Sequence, residues 1–379
     1  MAVALVYETH SISTDNEAGR ATGWAPGELS ARGVELAREL GRRRADDGLD
    51  LVLSSDLQRA VQTVDVAFAG SDVARSTDMR LREVDYGELT LAQVGRIDEV
   101  KPDHVDVPFP GGQSYRDVVA GMSGLLDELA RDQDAHRVLL VGHAATRYAL
   151  DHLLTGRPLE AAVVAPFAWR EGWTYRLTAE PPMVSVLDGP GALGIADEVE
   201  RVYRAAFGAP GYEESATDVR RFMAESLPTH ASRAGFRMVT LRLGPDLQGL
   251  AYGYTGERGQ WWTDTVASGV SADVDQGWFG GHFEVVELAV DPAAQGRGFG
   301  AALMDHLLLG LPHDRALLTT YAADRPAPRL YQRLGWTRLA EGALPDSDLW
   351  GLRPSVCRAR WESTTYSTSA DATTRLRAY

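Results

Sequence analysis

Cysteine is almost absent: Cys357 is the sole one in 379 residues. That excludes an intramolecular disulfide, falls short of any thiolate zinc site and points to a reducing compartment. Long apolar runs are missing too. No window of roughly 18 uninterrupted apolar residues could span a bilayer, and residues 3–7 follow Met1 without the basic start, longer apolar stretch and small-residue cleavage site of a secretory signal. The expectation is a cytoplasmic protein with no membrane partner. Positive charge is scarce, with 38 Lys and Arg against 53 Asp and Glu. The net charge of -15 leaves no general footprint for nucleic acid, only room for local basic pockets. No repeat appears at the periods of solenoids or propellers.

What is present is a globular composition, 44% hydrophobic and 24% charged with 9 Trp, in a chain long enough for two cores of about 150–200 residues each. The register changes between residues 178 and 195, where Glu180-Pro181-Pro182 and Asp188-Gly189-Pro190-Gly191 bracket a short apolar run. This predicts a first domain over 1–178, a linker with a possible first strand of the second domain over 179–194, a second domain over 195–355 and a tail over 356–379, rich in Ser and Thr. Before the boundary, apolar periodicity predicts strands at 3–7, 51–54 and 138–141 and helices at 31–44, 59–67, 115–130 and 145–154. That alternation favours an α/β fold with a mostly parallel sheet between helices. Beyond it come helices at 196–207 and 217–225, strands at 237–242, 249–255 and 283–290, a helix from Gly298 and a strand at 316–320, a second α/β unit.

The sharpest constellation lies in the second half. Glycines 296, 298 and 300 let backbone N–H groups approach a ligand without Cβ interference, and the following helix aims its positive end at the same spot, as a pyrophosphate would require. The whole run, Val286-Glu287-Leu288-Ala289-Val290-Asp291-Pro292 then Gln295-Gly296-Arg297-Gly298-Phe299-Gly300, resembles the acetyl-CoA-binding motif of the GNAT superfamily. Ala327-Pro328-Arg329-Leu330-Tyr331 with Gly335-Trp336 resembles that family's second signature, in which a helical tyrosine lies near the coenzyme sulfur. The resemblance implies a GNAT α/β domain with a mixed sheet and acetyl-CoA as cofactor. The backbone of Leu288, Ala289 and Val290 would pair with the pantetheine arm, Gln295 to Gly300 would hold the pyrophosphate, and Tyr331 would protonate the departing thiolate. The attacking amine must lose a proton to a base within hydrogen-bond reach. Glu287 or Glu284 is the candidate, and on a regular strand the two point to opposite faces, so at most one serves directly. Asp324 stands where the family often has asparagine, which puts one coenzyme-side hydrogen bond in question. Trp261, Trp262, Trp278 and Phe279 either line an acceptor pocket or belong to the core.

The first half carries several ordered matches. His10 ends the first strand, and Asn16-Glu17-Ala18-Gly19-Arg20-Ala21-Thr22-Gly23-Trp24 follows. Ser54-Ser55-Asp56-Leu57-Gln58-Arg59-Ala60, Arg82-Glu83-Val84-Asp85-Tyr86-Gly87 and Val141-Gly142-His143 come after it. Together they resemble the histidine phosphatase superfamily, which implies a three-layer α/β phosphoglycerate mutase-like domain. A neutral imidazole is a competent nucleophile for phosphorus, and a second imidazole with an arginine can hold the oxygens that carry charge in the transition state. By the resemblance His10 is the nucleophile, Arg59 and His143 hold the phosphoryl group, Glu83 protonates the leaving oxygen, Asn16 and Arg20 bind substrate, and no metal is needed. One departure is serious. The family's Arg-His-Gly reads Thr9-His10-Ser11 here, and a charge-assisted hydrogen bond of about 1.5–3 kcal/mol goes with the missing arginine. Arg20, Arg147 or a reorganisation through Glu8 is the candidate compensation.

The combined expectation is a bifunctional enzyme: an acetyl-CoA-dependent N-acetyltransferase of a small-molecule amine, joined to a metal-independent phosphatase of a small phosphate ester. The first domain has two open readings, a working phosphatase with altered preference and a phosphate-ester binding or regulatory module without turnover. A ligand-sensing interaction protein with two silent pockets is the contrasting class. The oligomeric state is not legible.

Overall fold

In the computed structural model the described residues are 3–131, 136–178, 180–209, 212, 214–321 and 326–353. Asp324, Cys357 and the 356–379 tail lie outside them. The chain divides into two units between Pro181 and Pro182.

The first unit is built on β1 (Val3–Thr9), β2 (Leu51–Ser54), β3 (Ala74–Thr77), β4 (Arg137–Gly142) and β5 (Trp173–Leu177), in the order β3-β2-β4-β1-β5. The first four run parallel, and β5 closes the β1 edge antiparallel. Because side chains alternate across the sheet, Val6, Val52, Leu139 and Val141 pack toward helices Ala31–Arg44 and Gln58–Ala67. Leu5, Tyr7, Leu53, Val138 and Leu140 pack on the other face, with helices Tyr115–Arg131 and Ala144–Thr155. The result is a three-layer α/β domain whose central parallel strands β1 and β4 end side by side at Thr9 and Gly142.

The second unit has a mixed seven-stranded sheet. Its strands are β6 (Pro182–Leu187), β7 (Arg237–Leu243), β8 (Asp246–Gly256), β9 (His282–Val290), β10 (Ala316–Tyr321), β11 (Thr337–Leu344) and β12 (Ser347–Leu352), ordered β11-β12-β10-β9-β8-β7-β6. Only β9 and β10 pair in parallel, and they do so at just Phe283 and Glu284. The apolar stretch 183–187 is thus an edge strand of this sheet. The helical pattern at 217–225 resolves into helix Ala216–Arg221, a π-helical turn Phe222–Ser226 and helix Leu227–Ala231. Strand pair β11–β12 and helices Trp261–Ser268 and Ala272–Trp278 were not anticipated from periodicity.

Candidate active sites

The first site forms where β1 and β4 end. His10 follows β1, and its backbone N–H donates to the Gly142 carbonyl at 2.9 Å. Gly142 must lack a side chain: a Cβ there would lie 2.5 Å from Thr146 Oγ1 and 2.8 Å from the Tyr7 hydroxyl. The His10 and His143 rings come within 4.9 Å of each other. Arg59, 2% exposed, lies between them. Its Nε donates to His10 Nε2 at 3.2 Å and its Nη2 to His143 Nδ1 at 3.3 Å, while Nη2 is anchored on the Gly23 carbonyl at 2.8 Å. These bonds assign the tautomers. His10 holds its proton on Nδ1, 2.6 Å from the Ser11 carbonyl, and presents the Nε2 lone pair. His143 carries its proton on Nε2, a buried donor with no partner among the described residues. Burial, reinforced by the Arg59 charge, lowers the His10 pKa to about 3 and holds that of His143 well below the usual imidazole range. Both rings are therefore neutral at ordinary pH.

Glu83 joins this group through its backbone-bound carboxylate, whose Oε1 accepts from Val84 N–H at 2.9 Å and Ala145 N–H at 3.1 Å. Burial raises its pKa above the ordinary carboxylate range. A cleft of about 140 Å³ opens beside Glu83 and is lined also by Trp24, Met79, Arg82, Gln113 and Val118. The other expected residues stand apart. Asn16 is exposed and caps a short helix, accepting from Ser13 N–H at 3.0 Å. Arg20 is exposed at an isolated bridge to Gln93. Of the other candidates for compensating the missing arginine, Arg147 is paired with Asp151 at 2.8 Å, and Glu8, through which a reorganisation was expected, is held by Arg44 at 2.6 Å and Arg43 at 3.3 Å.

In the second unit, β9 carries the expected run. Beyond Glu284 its edge toward β10 is unpaired among the described residues, so on that side the backbone of Leu288, Ala289 and Val290 has no strand partner there, while β8 pairs the other. The Ala289 side chain is in the core, and so is Phe299, at 1% exposure, so only their backbone can face a ligand. Gln295, Gly296 and Gly298 are exposed; Arg297 lies over the Phe299 ring at 4.8 Å, and Gly300 opens the helix against Leu330. Gly298, at φ 84°, caps helix Phe299–Leu308 in the left-handed conformation that glycine tolerates. Tyr331 is 7% exposed on helix Pro326–Arg333, with its ring 5.9 Å from Trp336. Burial raises its pKa, with smaller contributions from Tyr212 and Glu287 nearby.

The expectation that Glu284 and Glu287 face opposite sides is corrected. Tyr252 pairs with Glu287 but Gly253 pairs with Val285, so Val286 is an extra residue in a β-bulge. The inserted residue restores the parity, and both carboxylates stand on one face, opposite Tyr254 and Tyr252. Burial pushes Glu284 to about 7 and Glu287 to about 8. Sequence reasoning missed the rest of this face: Tyr203, Glu214, His230, Tyr252 and Tyr254. The Tyr-x-Tyr spacing on a predicted strand was its one visible signal. Of the aromatics set aside for a pocket or the core, Phe279 is core, Trp262 and Trp278 pack partly buried against it, and Trp261 is 73% exposed. Among the described residues no cluster of three or more His, Cys, Asp or Glu could hold a metal ion, and no helix is long and apolar enough to cross a membrane.

Comparison with known proteins agrees with both halves. Residues 9–167 match the histidine phosphatase superfamily (branch 1), and residues 259–338 match the acetyltransferase (GNAT) domain. A 2,3-bisphosphoglycerate-dependent phosphoglycerate mutase of Bradyrhizobium diazoefficiens is 30% identical over 201 residues, 48% of this chain and 96% of the relative. The GCN5-like protein acetyltransferase Rv2170 of Mycobacterium tuberculosis is 41% identical over 102 residues, 25% of this chain. The match spans about half the length of that relative. Among solved structures, one described as mycobacterial hydrolase 1 aligns with a TM-score of 0.42 at 22% identity, over 46% of this chain and 90% of that one. The chain belongs to the histidine phosphatase superfamily through its first domain and joins to it a GNAT acetyltransferase domain.

Proposed function

We propose that the chain is a bifunctional cytoplasmic enzyme, an acetyl-CoA-dependent N-acetyltransferase of a small amine joined to a phosphatase that works through a phosphohistidine. For the phosphatase, the observation that carries most weight is Arg59 bridging two neutral imidazoles, one offering a lone pair and the other an unpartnered N–H. Arg59 exchanges its hydrogen bond to His10 Nε2 for the phosphoryl oxygens, which it holds with the His143 N–H, and the freed Nε2 lone pair attacks phosphorus. Glu83, whose pKa burial raises, gives its proton to the leaving alcohol oxygen as the P–O bond breaks. The same carboxylate then takes a proton from the water that attacks the phosphohistidine, releasing inorganic phosphate and restoring His10. Phosphate release from a panel of sugar, amino-acid and nucleotide phosphates tests this: release that vanishes in His10→Ala supports it. Equal background in both proteins would favour the second reading, a phosphate-ester binding module, for which Thr9 in place of arginine is the specific support.

For the acetyltransferase, the supporting observation is the open edge of β9 leading into the Gly298-capped helix. The residues present suit the coenzyme: free strand N–H and C=O groups for an amide-bearing arm, and a helix N-terminus behind glycines for a pyrophosphate. Acetyl-CoA supplies the activated acetyl group. Glu287, in its ionised form, takes the proton that the attacking amine loses, so the rate rises as pH approaches about 8, and the Tyr331 hydroxyl gives one to the sulfur as the C–S bond breaks. Thiol release from acetyl-CoA across an amine panel tests the reading. Loss of release in Tyr331→Phe is expected, and binding without release across the panel would contradict it.

A further inference from the structure

We propose that the acetyl acceptor is a dicationic amine, with two nitrogens about 6–7 Å apart that are received by Glu287 and Glu284 together; this rests on the acetyltransferase reading above. The spacing is that of two same-face positions along a strand, here the partners of Tyr252 and Tyr254 on β8. Buried carboxylates are usually paired, and elsewhere in this chain they are: Glu8 has Arg43 and Arg44, and Asp348 has Arg338. The face beside the β9 bulge is different. Glu284, 2% exposed, accepts from the Tyr254 hydroxyl at 2.7 Å on Oε1, while its buried Oε2 has no partner among the described residues. Glu287, half-buried, accepts no hydrogen bond and forms no ion pair among the described residues. Glu214 lies near it and, among the described residues, accepts only from the Tyr203 hydroxyl, at 3.3 Å.

The charges that face this group do not balance it. Arg233 lies 4.5 Å over the Tyr254 ring and pairs with no carboxylate among the described residues. His230, bound to the Tyr252 hydroxyl at 3.0 Å, is held neutral by burial. Beyond the Asp218–Arg221 pair beside Glu214, three carboxyl groups thus stand against one guanidinium, and burial favours their protonated forms; a doubly charged ligand would supply the charges that let two of them ionise. In the productive arrangement one nitrogen yields its proton to Glu287 and attacks, while the other stays protonated on Glu284.

The test compares 1,4-diaminobutane with butylamine as acceptors for the intact chain, reading thiol release from acetyl-CoA. The diamine should show a kcat/KM about 10- to 150-fold higher, the range of one charge-assisted hydrogen bond, and Glu284→Gln should bring the ratio close to one. A parent ratio near one, or a ratio that Glu284→Gln leaves intact, overturns the proposal. Should that variant fail to fold, Glu214→Gln is expected to lower the same ratio, and an unchanged ratio there contradicts the proposal. If neither amine supports thiol release, the acetyltransferase reading is what fails, and calorimetry decides the binding claim. Diaminobutane binding weakened by Glu284→Gln upholds it, and absence of binding overturns it.

Discussion

Thr9 stands where the resemblance expects an arginine. It is the last residue of β1, half-buried and in register with Gly142, one residue before His10. Thr9→Arg should add a guanidinium at the site and raise kcat/KM for phosphate release by about 10- to 150-fold; no gain would mean that the pocket is already complete. The pH profile follows from the neighbouring groups. His10 stays neutral at any pH above about 3, so no inflection near the usual imidazole value should come from it. Glu83 must be protonated to act as acid, so the rate should fall on the alkaline side as it ionises, and Glu83→Gln should remove that limb along with most of the activity. Glu287 gives an opposite kind of signal, in stability. An unfolded glutamate ionises near 4.5, whereas Glu287 keeps its proton to about 8. Between those values the folded state binds the extra proton, so stability falls as pH rises. Glu287→Gln should therefore raise the second domain's unfolding midpoint at pH 8 by several degrees, at about 2–4 °C per kcal/mol, with little effect at pH 4. Equal midpoints at pH 8 would refute the burial argument.

At the scale of elements, the β9 bulge and the Gly298 cap place the second site. Inserting one residue between Tyr252 and Gly253 would give Val286 a partner, restore a regular pairing and turn Glu284 and Glu287 to opposite faces. Thiol release should then be lost while binding of coenzyme A persists, because the helix cap lies downstream. Gly298→Ala attacks the other half: a Cβ at φ 84° costs about 1–2 kcal/mol and should weaken acetyl-CoA binding roughly 5- to 30-fold. These elements also mark what sequence reading can reach. The strands and helices around His10, Arg59 and His143 were legible because each pairs a periodic apolar run with a sharp junction, whereas Glu83 was legible through the family resemblance alone. Helix 31–44 and strands 51–54 and 138–141 lie at the expected places, within a residue or two. The bulge was not legible, since one inserted residue breaks the parity on which strand reasoning depends. Nor was the use of Asn16 as a helix cap, which is a matter of local hydrogen bonding. The acidic, tyrosine-lined face escaped notice because Glu214, His230, Tyr252 and Glu284 come from distant stretches that only the sheet brings together.

On the scale of the whole molecule, Lys101 is the only lysine of the chain. It is 8% exposed, with Nζ 2.7 Å from Asp98. The protein therefore offers almost no side-chain amine to its own acetyltransferase domain. After incubation with acetyl-CoA, the peptide containing Lys101 should be unmodified by mass spectrometry, and acetylation there would contradict the burial described. The central claim is that two chemically separate activities share one polypeptide. The most direct test measures phosphate release and thiol release side by side in the parent, His10→Ala and Tyr331→Phe proteins. The account predicts that His10→Ala loses phosphate release and keeps thiol release, and that Tyr331→Phe does the reverse. Loss of both activities in either variant, or persistence of phosphate release in His10→Ala, would contradict it.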